Sequence, residues 1–134
     1  MLVRDLMATD VPIVAPDDSV RDAARRMDEA RAKVLPVCEG ERLVGVITDS
    51  DVVCAVADGC VPDHEFVRSY MSAGVAAVRP DTPLADAAEL MAHRHLHHLL
   101  VCDDDRFAGI IHVDVEWSEL GGLSTPQATF AAAF

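Results

Sequence analysis

The chain carries one pattern twice. Residues 3–51 recur at 67–115 without a gap, at a constant offset of 64 positions. Val3, Arg4, Met7, Val14, Pro16, Asp17, Met27, Leu35, Val37, Cys38, Gly45 and Ile47 meet the same residue types at Val67, Arg68, Met71, Val78, Pro80, Asp81, Met91, Leu99, Val101, Cys102, Gly109 and Ile111. Such regularity sets the architecture before any local reading, because each copy of a repeat is one supersecondary unit that must bury its apolar face against a neighbour. The copies span 1–57 and 67–117, joined by a linker at 58–66 and followed by a tail at 118–134. Where they differ, one copy can be read against the other.

Composition limits the core and the partners. With 51% apolar and 4% aromatic residues, the core must be aliphatic. Eleven basic residues against 23 acidic give a net charge of −12. That balance argues against a nucleic-acid footprint and against an anionic membrane surface. No apolar run reaches the length of a membrane span, and Met1-Leu2-Val3-Arg4-Asp5 lacks the layout of a signal peptide. A soluble cytoplasmic protein is expected.

Each copy reads as β-α-β-β-α. Val11–Val14 is a short apolar run, with Pro12 suited to an edge. Pro16-Asp17-Asp18-Ser19 signals a turn and a helix start. In the second copy Pro83 suits the first helical position. Val20, Ala23, Ala24 and Met27 then share a helical face, as do Leu84, Ala87, Ala88 and Met91. Val34–Cys38 and Leu43–Ile47 form a hairpin around Glu39-Gly40-Glu41. A second helix begins near Thr48 and stops at Asp58-Gly59. The tail carries Phe130 and Phe134 among alanines, either to fold back or dock, or as a loose end.

The sharpest local pattern is Gly45-Val46-Ile47-Thr48-Asp49-Ser50-Asp51, at a strand-to-helix junction. It supports two readings. Thr48 with Asp51 three residues on resembles a capping box, Asp standing where Glu or Gln is usual. The same place is also suited to a ligand: a helix N-terminus offers backbone N–H groups to an anion, a hydroxyl can donate to phosphate, and a carboxylate one turn in can grip a ribose diol.

With the duplication, the Leu35-Pro36-Val37 strand and the Gly45-Val46-Ile47-Thr48-x-x-Asp51 junction, the chain resembles the cystathionine β-synthase (CBS) domain pair over about residues 3–115. The resemblance implies an α/β (α+β) fold with two β-α-β-β-α copies packed about a pseudo-two-fold axis. It also implies clefts for adenosine ligands such as AMP, ADP, ATP or S-adenosylmethionine, and a flat homodimer. By position, Asp51 binds ribose and Thr48 a phosphate. Asp10, Val11, Pro12 and Ile13 line the base, Lys33 lies near phosphates, and Leu35 and Pro36 complete the set. No cofactor beyond such a regulatory nucleotide is implied.

The second copy departs from this pattern. Thr48 becomes His112, Asp51 becomes Val115, Pro36 becomes Leu100 and Lys33 becomes His97. Asp114 is one residue early, about 100° round a helix. A weaker second cleft of His97, His112 and Asp114 is therefore expected. Among His93, His95, His97 and His98, the first and third would share a helical face at i, i+4 as metal ligands can, but no carboxylate or thiol completes a set of recognisable spacing, and no metal site is expected. Cys38 and Cys102 read as buried thiols, while Cys54 and Cys60 have no CxxC spacing. No nucleophile–base arrangement appears among the serines, so the chain reads as a binding module and not an enzyme. Three functions follow: an adenosine-nucleotide sensor acting in trans on a protein partner; a structural or dimerisation module with vestigial clefts; and a redox- or metal-responsive stress protein.

Overall fold

The computed structural model describes residues 1–74, 76–113 and 130–131. In chain order its elements are α1 (Val3–Leu6), α2 (Val20–Ala30), β1 (Val34–Glu39), β2 (Arg42–Thr48), α3 (Asp49–Ala57), a 3₁₀ turn (Val67–Ser69), β3 (Ala77–Val78), α4 (Leu84–His93), β4 (His98–Asp103), β5 (Arg106–Val113) and β6 (Phe130–Ala131). The described residues divide into two mixed α+β units, one drawn from Met1–Val11 and Ala76–Ala133, the other from Pro12–Val75.

In the unit of Pro12–Val75, Ser19 caps α2 by accepting the Asp22 N–H at 3.0 Å. Its buried face is Val20, Ala23 and Met27, and Arg31 ends it in the left-handed region at φ 53°. The β1–β2 hairpin turns at Gly40, whose φ of 62° suits a residue without a Cβ. Val34 to Cys38 are all buried, the mark of a strand covered on both faces. Val14 runs parallel to β1, donating to the Pro36 carbonyl at 3.0 Å and accepting from Cys38 N–H at 2.8 Å. Val14, Ala23, Met27, Leu35, Val37, Ile47 and Val67 form the core of this unit.

The other unit repeats these contacts 64 residues on. Leu35 pairs with Ile47 and Leu99 with Ile111, and both hairpins shift register after the equivalent valine, Val37 and Val101. Val14 lies beside Val37 as Val78 lies beside Val101. Asp104 takes the left-handed place of Gly40 at φ 56°, which a short polar side chain tolerates. Val3, Ala87, Met91, Leu99, Val101 and Ile111 form the core.

The opening segment of each copy packs on the hairpin of the other copy. Val46 and Ser72 exchange two backbone hydrogen bonds of 2.9 Å, and Ala8 and Ile110 exchange two of 2.9 and 3.0 Å. Val67 N–H reaches the Asp18 carbonyl at 2.8 Å, and Val3 N–H the Thr82 carbonyl at 2.9 Å. The compact units therefore divide near Val11 and Val75, away from the 58–66 linker.

Some local expectations need correction. Pro83 is the N-cap of α4 and not its first helical residue; its φ of −58° fits a helix but its ψ of 136° is extended. Of the run Val11–Val14, only Val14 makes a ladder contact; Pro12 has no N–H to offer one. The tail contributes β6, which pairs with β5 through His112–Ala131 and Val113–Phe130. The helix expected after β5 lies outside the described residues, with Asp114, Val115 and Trp117.

Candidate functional site

Of the first copy's candidate residues, Pro12, Ile13, Lys33, Thr48 and Asp51 lie at the end of the hairpin where β2 meets α3. The β1–β2 register sets Val34 opposite Thr48, so the start of β1 lies beside the start of α3. Lys33, exposed, is tied there by its carbonyl, which accepts the Asp49 N–H at 3.0 Å. The parallel pairing of Val14 with Val37 brings Pro12 and Ile13 to the same end of β1. Asp10 and Val11 belong to the unit of Met1–Val11 and Ala76–Ala133. Leu35 is 0% exposed, so its side chain serves the core and only its backbone remains for any ligand role.

Thr48 and Asp51 form a complete capping box. Asp51 N–H donates to Thr48 Oγ1 at 3.2 Å, and Thr48 N–H donates to Asp51 Oδ2 at 2.8 Å. Both side chains are half-buried. The box occupies one carboxylate oxygen and one hydroxyl lone pair. Among the described residues nothing hydrogen-bonds Asp51 Oδ1, and the Thr48 hydroxyl proton is unused. A hydroxyl both donates and accepts, and a carboxylate has about four lone-pair sites. The capping reading and the ligand reading are therefore compatible.

The anion reading needs correction at one point. Asp49 N–H goes to the Lys33 carbonyl, Ser50 N–H to Asp49 Oδ1 at 2.8 Å, and Asp51 N–H to Thr48. The first turn of α3 thus has its leading N–H groups engaged, and Asp49 and Asp51 already answer the positive end of its dipole. A phosphate here would rely on the Thr48 hydroxyl and the Lys33 ammonium.

Sequence reasoning missed Arg26. Its Nη1 donates to the Ile13 carbonyl at 2.8 Å and to Asp18 Oδ2 at 2.9 Å, and that oxygen also accepts the Ala15 N–H at 2.8 Å. The backbone of residues 13–18 is thereby fixed from α2. The signal was a difference between copies: Arg26 aligns with Leu90.

In the second copy His97 is exposed, and the ring in contact with His112 is that of His98. Among the described residues no group of three or more His, Cys, Asp or Glu side chains could hold a metal ion. Cys38 and Cys102 are buried, Cys54 is exposed, and no disulfide forms among the described residues. Burial, and then the charge of Asp105, push the Cys102 thiol above its ordinary pKa. Among the described residues no helix is long and apolar enough to cross a membrane.

The described residues thus show a duplicated α+β module with a capped carboxylate at one strand–helix junction. The CBS domain family matches residues 3–58 and 67–114, and the chain belongs to that family. It is 31% identical over 135 residues to the CBS domain-containing protein YhcV of Bacillus subtilis, covering 98% of this chain and 89% of that protein. It is also 31% identical over 114 residues to arabinose 5-phosphate isomerase KdsD of Yersinia pestis, but this match, 83% of this chain, spans only 35% of that protein. Among solved structures, CBSX2 of Arabidopsis thaliana in complex with AMP aligns with a TM-score of 0.73 and 29% identity, over 83% of this chain and 89% of that one. The CBS domain pair of MJ0100, in complex with 5′-methylthioadenosine and S-adenosyl-L-methionine, aligns with a TM-score of 0.71 and 27% identity, over 93% and 98%.

Proposed function

We propose that this chain is a non-catalytic regulatory module that binds an adenosine-containing ligand at the β2–α3 junction of its first copy and acts in trans. Asp51 Oδ1 accepts from the ribose diol. The Thr48 hydroxyl and Lys33 face a phosphate or another polar substituent, and the backbone around Pro12 and Ile13 meets the base. The observation that carries this reading is the Asp51 carboxylate, held by the Thr48 N–H through one oxygen and unengaged at the other among the described residues. Relatives of the same family solved with AMP and with S-adenosyl-L-methionine support the ligand class.

A homodimer fits the apolar face of α3, where Val53 is 67% exposed and Val56 59%. These two side chains, three positions apart on one helix, are the apolar surface that a second copy would cover. Light scattering should give twice the chain mass, and Val53→Glu should return it to the monomer.

The test of ligand binding is calorimetry with AMP, ADP, ATP and S-adenosylmethionine on the wild type and on Asp51→Asn. The substituted amide keeps an oxygen for the Thr48 N–H and replaces the open acceptor by a donor. Losing a hydrogen bond to a charged group costs about 1.5–3 kcal/mol, so affinity should fall roughly 10- to 100-fold. Heat that is equal for both proteins sinks the assignment of Asp51. No heat with any of the four favours the second reading, a structural module whose Thr48 and Asp51 only cap a helix; the completeness of the capping box favours that reading.

A further inference from the structure

The carbonyl of Ile13 turns away from β1, and α2 comes to meet it. Val14 donates to the Pro36 carbonyl at 3.0 Å and accepts the Cys38 N–H at 2.8 Å. The trans peptide plane joining Ile13 to Val14 therefore points the Ile13 carbonyl to the opposite side. There Arg26 Nη1 takes it at 2.8 Å while also reaching Asp18 Oδ2 at 2.9 Å. Pro12 has no N–H, and among the described residues the Ile13 N–H donates to no acceptor. Ile13 is 40% exposed, which leaves it open to a ligand.

The second copy keeps the turn without the arginine. Thr82 Oγ1 accepts the Arg79 N–H at 3.2 Å, as Asp18 Oδ2 accepts the Ala15 N–H at 2.8 Å. Leu90, at the place of Arg26, packs on the core instead. The turn by itself thus needs no guanidinium. What Arg26 adds is a fixed Ile13 carbonyl and, through the same residue, a fixed direction for the Ile13 N–H.

We propose that Arg26 is a positioning residue that aims the Ile13 N–H at N1 of adenine and so sets the base preference of the first copy's site. The inference rests on the adenosine reading of that site. Ile13, Arg26, Lys33, Thr48 and Asp51 all belong to the unit of Pro12–Val75. In adenine N1 is an acceptor. In hypoxanthine N1 carries a proton, so two donors would face each other and neither would be satisfied. A mismatch of that kind should lower affinity roughly 10- to 100-fold.

Calorimetry of the full chain with AMP and with inosine monophosphate tests it. The wild type should prefer AMP by that factor. Arg26→Leu, the second copy's residue, should bring the ratio of the two affinities close to one. Arg26→Lys keeps a donor for the Ile13 carbonyl and should hold part of the ratio. A role confined to stability would leave the ratio unchanged. Should Arg26→Leu fail to fold, 1-deaza-AMP on the wild type decides: it lacks the N1 acceptor and should bind as weakly as inosine monophosphate. The proposal is overturned by a wild type that binds AMP and inosine monophosphate equally, by a ratio that survives Arg26→Leu, or by 1-deaza-AMP binding as tightly as AMP. In each of those cases heat with AMP leaves the adenosine reading standing. A wild type silent to every adenosine ligand overturns both.

Discussion

Gly45 and Ser72 are in such close contact that a Cβ on Gly45 would sit 2.7 Å from the Ser72 carbonyl oxygen. The equivalent pair is tighter: a Cβ on Gly109 would sit 2.5 Å from the Ala8 carbonyl oxygen. In each case the obstacle is backbone, joined to the neighbouring residue by a pair of backbone hydrogen bonds, so it has little room to yield. Met71 and Met7 close over the two glycines, each with Sδ 3.2 Å from the same point.

Gly45→Ala and Gly109→Ala should each lower stability by about 1–3 kcal/mol, the usual cost of forcing extra atoms into a packed site. Urea melts will measure it. Gly74→Ala is the control, since a Cβ there meets nothing within 4 Å among the described residues, and its midpoint should move far less.

Thr48→Ala removes the capping oxygen from α3 and should cost about 1 kcal/mol in a chemical melt. Asp51→Asn keeps an acceptor for the Thr48 N–H and should cost less. If the two lose stability equally, the carboxylate charge at the helix start matters more than the hydrogen bonds.

Arg26→Leu copies the second half's residue at this place. The ion pair with Asp18 is partly exposed, with side-chain exposures of 42% and 29%, so the stability loss should stay below about 1 kcal/mol. Ligand affinity should fall further than stability, because the Ile13 carbonyl loses its anchor. A binding isotherm unchanged by the substitution would show that the Asp18–Ala15 turn alone holds the segment.

The thiols should separate by reactivity and by pH. Cys54 is exposed and should react with a thiol reagent in the native state, ahead of buried Cys38 and Cys102. Because Cys102 is raised in the fold, the folded protein favours its neutral thiol more than the unfolded chain does. That contribution is complete below the unfolded pKa, about 8.5, and is lost as pH rises through the folded value. Tyr70, also raised, by burial and then by Cys60 and Glu65, adds a loss in the same direction at higher pH. Melting temperature should thus fall on the alkaline side, and less steeply in Cys102→Ala.

Much of the fold was legible because its signals are local. Ser19, Gly40 and Asp58-Gly59 punctuate the elements where the backbone demands it, and the offset of 64 residues carries the same register into both hairpins. The capping box could be read from Thr48 and Asp51 for the same reason, since three residues fix its geometry. Arg26 was not legible, because its targets at Ile13 and Asp18 are reached only once α2 is packed. That both faces of β1 are covered, Leu35 with them, was not legible either, since the sequence marks the run as apolar without showing what packs on each side.

By itself the sequence determined the duplication, the first helix and the hairpin of each copy and the Thr48–Asp51 capping pair, since all of these rest on neighbours along the chain. Only the tertiary structure decided that each opening segment packs on the other copy's hairpin, that the N–H groups leading α3 are already engaged, and that His98 meets His112. Those facts depend on strand register and on which backbone comes within about 3 Å of which, the reach of a hydrogen bond. Contacts between residues far apart in the chain leave no periodic trace in it.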